Sequence, residues 1–123
     1  MTQITPERMA LYRASAQQRE RERQQRLKAR FDRACQVARE AAALLKTEFG
    51  AERVVVFGSL VDRSLFHVHS DVDLAVWGLP EKVYYRAVGR LQALDTIVAV
   101  DLIRIEEAPA TLQVVISRDG IEL

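Results

Sequence analysis

At 123 residues, 49% hydrophobic and 28% charged, the chain has the size of one ordinary domain and enough apolar content to bury a core. That composition excludes a fibrous repeat and wholesale disorder, and no apolar stretch is long enough to cross a bilayer. The opening MTQITPERMALYRASAQQ lacks the basic segment and apolar run of a signal peptide, so a cytoplasmic location is expected. Cys35 has no second cysteine to pair with, and with His67 and His69 as the only histidines no Cys/His zinc site can be assembled. A net charge of +1 conceals an asymmetry: residues 1–50 carry 11 Lys and Arg against 6 Asp and Glu, and residues 51–123 carry 7 against 11.

Thr5-Pro6-Glu7 reads as an N-cap, a first-turn proline and an acidic residue at the positive end of a helix dipole, and no further Pro or Gly occurs before Gly50. One long helix over residues 1–50 is predicted. Its string QQRERERQQR, Gln17 to Arg26, has mixed sign and no apolar residue, so it reads as a solvated helix face rather than a nucleic-acid patch, projecting from the body or lying against a partner. Met9, Leu11 and Tyr12 before it form either a docking patch or the apolar residues of a frayed end. From Leu27 on, Phe31, Ala34, Ala38, Ala41, Ala42, Leu45 and Phe49 recur at helical spacing, a stripe for a core that ends at a glycine C-cap.

Residues 51–123 change period. Arg53–Phe57, Val72–Trp77 and Thr96–Ile105 read as β-branched, mostly buried strands of one sheet. Pro80 and Glu81 open a helix with an apolar face of Tyr84, Ala87, Val88, Leu91 and Leu94. Residues 109–117 read as a short last helix, followed by Gly120 and a terminal strand, Ile121–Leu123. The expected architecture is α+β in one domain: a small mixed sheet with flanking helices, preceded by a long N-terminal helix whose second half packs on it.

Chemistry enters where these strands break the rules for a core. Asp71 and Asp73 flank Val72, and a period of two turns both carboxylates to one face with Cα atoms roughly 6 to 7 Å apart. An Asp at a strand start often only caps a turn, which Ser70 would assist. Two repelling carboxylates are also what a hard divalent cation would bridge, Mg²⁺ or Mn²⁺ rather than zinc. Asp101 lies inside an apolar run, where burial without a cation or strong donors would cost several kcal/mol. Gly58-Ser59 directly follows a strand, a place where backbone N–H groups and a hydroxyl can meet phosphate if Leu60 to Arg63 begin a helix. His67 and His69 read as solvated loop residues, and Trp77, Tyr84 and Tyr85 as core packing rather than base-stacking surfaces.

The strand-GS unit, eleven intervening residues, Asp71-x-Asp73 and the later Asp101 together resemble the minimal nucleotidyltransferases of the DNA-polymerase-β superfamily, the small partners of HEPN-domain toxins. The likeness runs from the Arg- and Gln-rich N-terminal helix through Phe57-Gly58-Ser59, residues 69–80, residues 84–88 and residues 100–103 to the terminal GIEL. Two features depart from it: Arg63-Ser64 stands where many relatives carry Arg-Gly, and the GS-to-Asp spacing is one residue longer than usual.

The resemblance implies a polymerase-β-like core over residues 51–123. It implies NTP binding by Gly58, Ser59 and Arg63, and binding of two Mg²⁺ or Mn²⁺ ions by Asp71, Asp73 and Asp101. The activity it implies is transfer of AMP from ATP to a tyrosine hydroxyl of a HEPN RNase toxin held in a hetero-oligomer, which neutralises the toxin. Retention of all three aspartates favours an active member. The competing expectations are a binding-only antitoxin and a small-molecule nucleotidyltransferase, the latter needing an acceptor cleft that 73 residues leave little chain to build.

Overall fold

The computed structural model describes residues 3–123. The first helix, α1, is unbroken from Pro6 to Phe49, 44 residues or about 66 Å at the α-helical rise. Its ends follow the predicted chemistry: the Thr5 side chain accepts from the Arg8 N–H at 3.2 Å, and Gly50 closes the helix in the left-handed region at φ 69°. Every residue of the helix before Leu27 is exposed. Pairs one turn apart line this arm, among them Glu20–Arg23 at 2.8 Å and Gln18–Glu22 at 3.0 Å, and exposure to solvent keeps each of them weak.

The second half of α1 buries Ala34, Val37, Ala38, Ala41, Ala42 and Leu45, with Leu27, Phe31 and Phe49 packed at the margin. The alanines let the helix axis approach the sheet closely, and the bulk comes from the strands. Strand β1 (Arg53–Phe57) contributes Val54 and Val56, β2 (Val72–Trp77) contributes Val72, Leu74 and Val76, and β3 (Val100–Arg104) contributes Val100 and Leu102. Helix α2 (Tyr84–Gln92), entered through a 3₁₀ turn at Glu81–Val83, closes this layer with Ala87 and Leu91.

The sheet order is β3-β2-β1-β4, with β4 (Ile121–Glu122) at one edge. Strands β1 and β2 form an antiparallel pair, and β2 and β3 a parallel pair joined through α2, the crossover that parallel strands require. On the opposite face, α3 (Ala110–Asp119) covers Val55 and Ala75 with Ile116, assisted by Ile105. Helix α3 packs on β1, and Leu112 and Ile103 join the same layer, so on this face β3 is left open at its Asp101 end.

Candidate functional site

The site is organised by register. Phe57 of β1 pairs with Asp73 of β2, and Asp73 pairs with Asp101 of β3, so one row crosses three strands on the face that α3 leaves open. Asp73 is half-buried and Asp101 is exposed. The expected desolvation cost at Asp101 is therefore absent: β3 is an edge strand, its alternate residues Val100 and Leu102 fill the α1 side, and Asp101 points to solvent. Burial pushes the Asp73 carboxyl above its ordinary range, and repulsion from Asp101 and then Asp71 raises it further. Asp71 and Asp101 thus both lie within electrostatic reach of Asp73.

Beside this row the chain leaves β1 through Gly58, whose φ of 78° only glycine adopts readily. A Cβ there would lie 2.5 Å from Asp73 Oδ2. Gly58–Leu60 and Arg63–Leu65 are single 3₁₀ turns, so the condition set for phosphate binding there, a helix beginning over Leu60 to Arg63, is not met. Asp62 instead caps the second turn, accepting from the Ser64 N–H at 3.1 Å and the Ser64 hydroxyl at 2.6 Å. Ser59 is half-buried, and its hydroxyl makes no hydrogen bond among the described residues.

A cleft of about 640 Å³ borders Gly58 and is lined also by Phe57, Asp62, Arg63, Val115 and Asp119. Arg63 borders it, but its guanidinium lies 3.9 Å from the centre of the Phe31 ring. Gly58 is where this cleft meets the carboxylate row.

Asp71 stands just before β2. Its Oδ1 accepts from Arg30 Nη2 and from the Ala99 N–H, both at 3.1 Å. Arg30 also donates through Nε to the Ser70 carbonyl at 3.0 Å, while the buried Ser70 hydroxyl accepts from the His67 N–H at 2.9 Å. Arg30 was not among the sequence candidates. The signal for it was its place between Leu27 and Ala34 on the apolar stripe, where an arginine must find an acceptor.

The donor set fits a hard divalent cation, because it consists of carboxylate oxygens only and because Asp73 carries uncompensated repulsion. The three are not gathered: no group of three His, Cys, Asp or Glu among the described residues is arranged to hold a metal ion. The aromatic candidates divide. Trp77 lies at the opposite end of β2 under Arg53, 4.5 Å from its guanidinium, and the Tyr84 hydroxyl donates to the Leu102 carbonyl at 2.6 Å. Tyr85 does not pack in the core: it is 84% exposed, being on the outer side of α2. His67 and His69 are exposed loop residues with ring centroids 6.4 Å apart.

The profile of the family "Polymerase beta, Nucleotidyltransferase" matches residues 39–123, from within α1 through the row and the Gly58 turn to the last strand. The chain belongs to this nucleotidyltransferase family. A solved minimal nucleotidyltransferase is 32% identical, with 72% of this chain and 92% of that one covered and a TM-score of 0.57. The toxin–antitoxin complex MntA–HepT contains a chain of similar fold: 19% identity, coverage of 70% and 68%, TM-score 0.53. A toxin–antitoxin structure with AMP-PNP matches at 20% identity, coverage of 68% and 69%, TM-score 0.55. No curated protein matches. Among the described residues no helix is long and apolar enough to cross a membrane.

Proposed function

We propose that this nucleotidyltransferase is an antitoxin of the minimal nucleotidyltransferase type, transferring AMP from ATP to a tyrosine hydroxyl of a HEPN toxin. The observation that carries the reading is the in-register pair Asp73–Asp101 beside Gly58, whose missing side chain leaves room for the Asp73 carboxylate. The solved relatives that contain a toxin partner or AMP-PNP support the choice of acceptor and nucleotide.

In this reading Asp71, Asp73 and Asp101 hold Mg²⁺, which when bound lowers the pKa of an attacking hydroxyl and neutralises charge on the α-phosphoryl group. Gly58 admits the triphosphate, and Ser59 donates its hydroxyl to a phosphate oxygen. Asp101, the exposed member of the row, receives the proton of the tyrosine hydroxyl. The tyrosine oxygen bonds to the α-phosphorus as the bond to the β-phosphate oxygen breaks, giving an O-AMP tyrosine and pyrophosphate. Arg63, on Phe31, serves the phosphates only after leaving that ring.

The exposed arm of α1 before Leu27, with Met9, Leu11 and Tyr12 on it, favours docking of the same partner and supports a second reading in which masking alone neutralises. Label from α-³²P-ATP appearing on a co-purified HEPN toxin, and lost with Asp73→Asn, supports transfer. Neutralisation in cells by that variant at wild-type strength and equal expression supports masking.

A further inference from the structure

We infer that Arg30 is a positioning residue that orients the Asp71 carboxylate for a divalent cation, an inference that rests on the nucleotidyltransferase reading above. Asp73 and Asp101 are held by strand register, whereas Asp71 precedes its strand and has no such support. Its orientation comes from two donors on one oxygen: Arg30 Nη2 from α1 and the Ala99 N–H from the segment entering β3. Oδ2 accepts nothing among the described residues and remains available to a ligand. A carboxylate held on one oxygen while the other faces a metal is the usual arrangement around metal centres.

The arginine is itself fixed. Its side chain is 14% exposed against 38% for Asp71, and its fork spans two successive residues, Nε on the Ser70 carbonyl and Nη2 on Asp71. A lysine, with one ammonium on a flexible stem, cannot make both contacts with that geometry. The Ser70 hydroxyl and N–H are tied to His67, the latter pair at 2.9 Å, so the whole turn is locked from within while Arg30 locks it to α1.

The test is Mn²⁺ binding to the full-length chain, followed by electron paramagnetic resonance, with thermal melts of each variant. Arg30→Met, which keeps the apolar stem, should weaken Mn²⁺ binding about tenfold, the lower end of the loss that follows removal of a ligand's supporting partner. Arg30→Lys should recover part of that loss. In an Asp71→Asn background Arg30→Met should change Mn²⁺ affinity by less than about twofold, because the arginine acts through Asp71; a purely structural role would lower affinity equally in both backgrounds. Unchanged or tighter Mn²⁺ binding in Arg30→Met, or an equal loss in the Asp71→Asn background, would overturn the inference. If Arg30→Met fails to fold, Arg30→Lys carries the comparison in the same two backgrounds, and wild-type affinity in it overturns the inference. A wild-type chain that labels its partner and binds Mn²⁺ no better than Arg30→Met removes the positioning role alone. One that neither binds Mn²⁺ nor transfers label removes the proposed function with it.

Discussion

The carboxylate of Asp73 occupies the space that a side chain at Gly58 would need: a Cβ at Gly58 would meet Asp73 Oδ2 at 2.5 Å. Gly58→Ala therefore forces the carboxylate to move and strains a backbone at φ 78°, together about 1 to 3 kcal/mol of stability. The expected outcome is a lower urea midpoint and loss of AMP transfer. Ser59→Ala, which removes one hydrogen bond to a charged phosphate, should weaken nucleotide binding by about 1 to 2 kcal/mol and leave the midpoint unchanged. Isothermal titration with a non-hydrolysable ATP analogue separates the two, and equal effects of both variants would contradict the assignment.

Asp73→Asn should abolish transfer and raise the melting temperature in chelator at neutral pH, because it removes a charge that burial and its neighbours disfavour. The sign with pH follows. A carboxyl raised in the fold binds its proton more tightly folded than unfolded, so wild type is favoured at low pH and loses that advantage as pH rises through the folded value. The melting difference, variant minus wild type, should grow from pH 4 to pH 7. A flat difference contradicts the burial and repulsion assigned to this group.

Arg33 and Asp95 join α1 to the segment before β3. Arg33 Nε lies 2.9 Å from Asp95 Oδ1, the Ile97 and Val98 N–H groups also donate to Asp95, and this pairing holds the carboxyl at about 2. A depressed carboxyl stabilises the fold above its unfolded value near 3.8, and that contribution disappears as pH falls through about 2. The melting gap between wild type and Arg33→Ala should be constant above pH 5 and narrow between pH 4 and pH 2. A gap independent of pH over that range would mean that packing, not the ion pair, accounts for it.

Among the described residues, removing the chain before Leu27 deletes only exposed ones and the Thr5 cap, whose loss costs about 1 kcal/mol. The core should fold and nucleotide binding should persist, while pull-down of a HEPN partner weakens. Full-length Asp71→Asn should behave in the opposite way, capturing the partner without labelling it. Equal capture by the truncated and full-length chains would place the docking surface elsewhere.

The long helix was legible because its signals are local: Thr5-Pro6 at one end, Gly50 at the other, and a stripe whose members Ala34, Ala38, Ala41, Ala42 and Leu45 are all buried. The Asp73–Asp101 juxtaposition was legible as a motif, though its geometry is a matter of register. Arg30–Asp71 was not, since partners 41 residues apart leave no periodic trace. Nor was the exposure of Asp101, which follows from strand order. In an inner strand the same run of Val, Leu and Ile would have buried it. Tyr85 was misjudged because α2 shows its apolar face only every third or fourth residue, and Tyr84 already fills that place.

The parallel pairing of β2 with β3 also bears on how such a chain tolerates change. The spacing of Asp73 and Asp101 is set by the distance between neighbouring strands, about 4.8 Å, and by the backbone register of β2 on β3. The eleven residues between Ser59 and Asp71 lie outside the β2–β3 pairing, so an insertion there would leave that distance unaltered. Length variation in this stretch is thus uncoupled from the chemistry, and the loop is free to diverge with whatever surface it faces while the pair of carboxylates stays fixed.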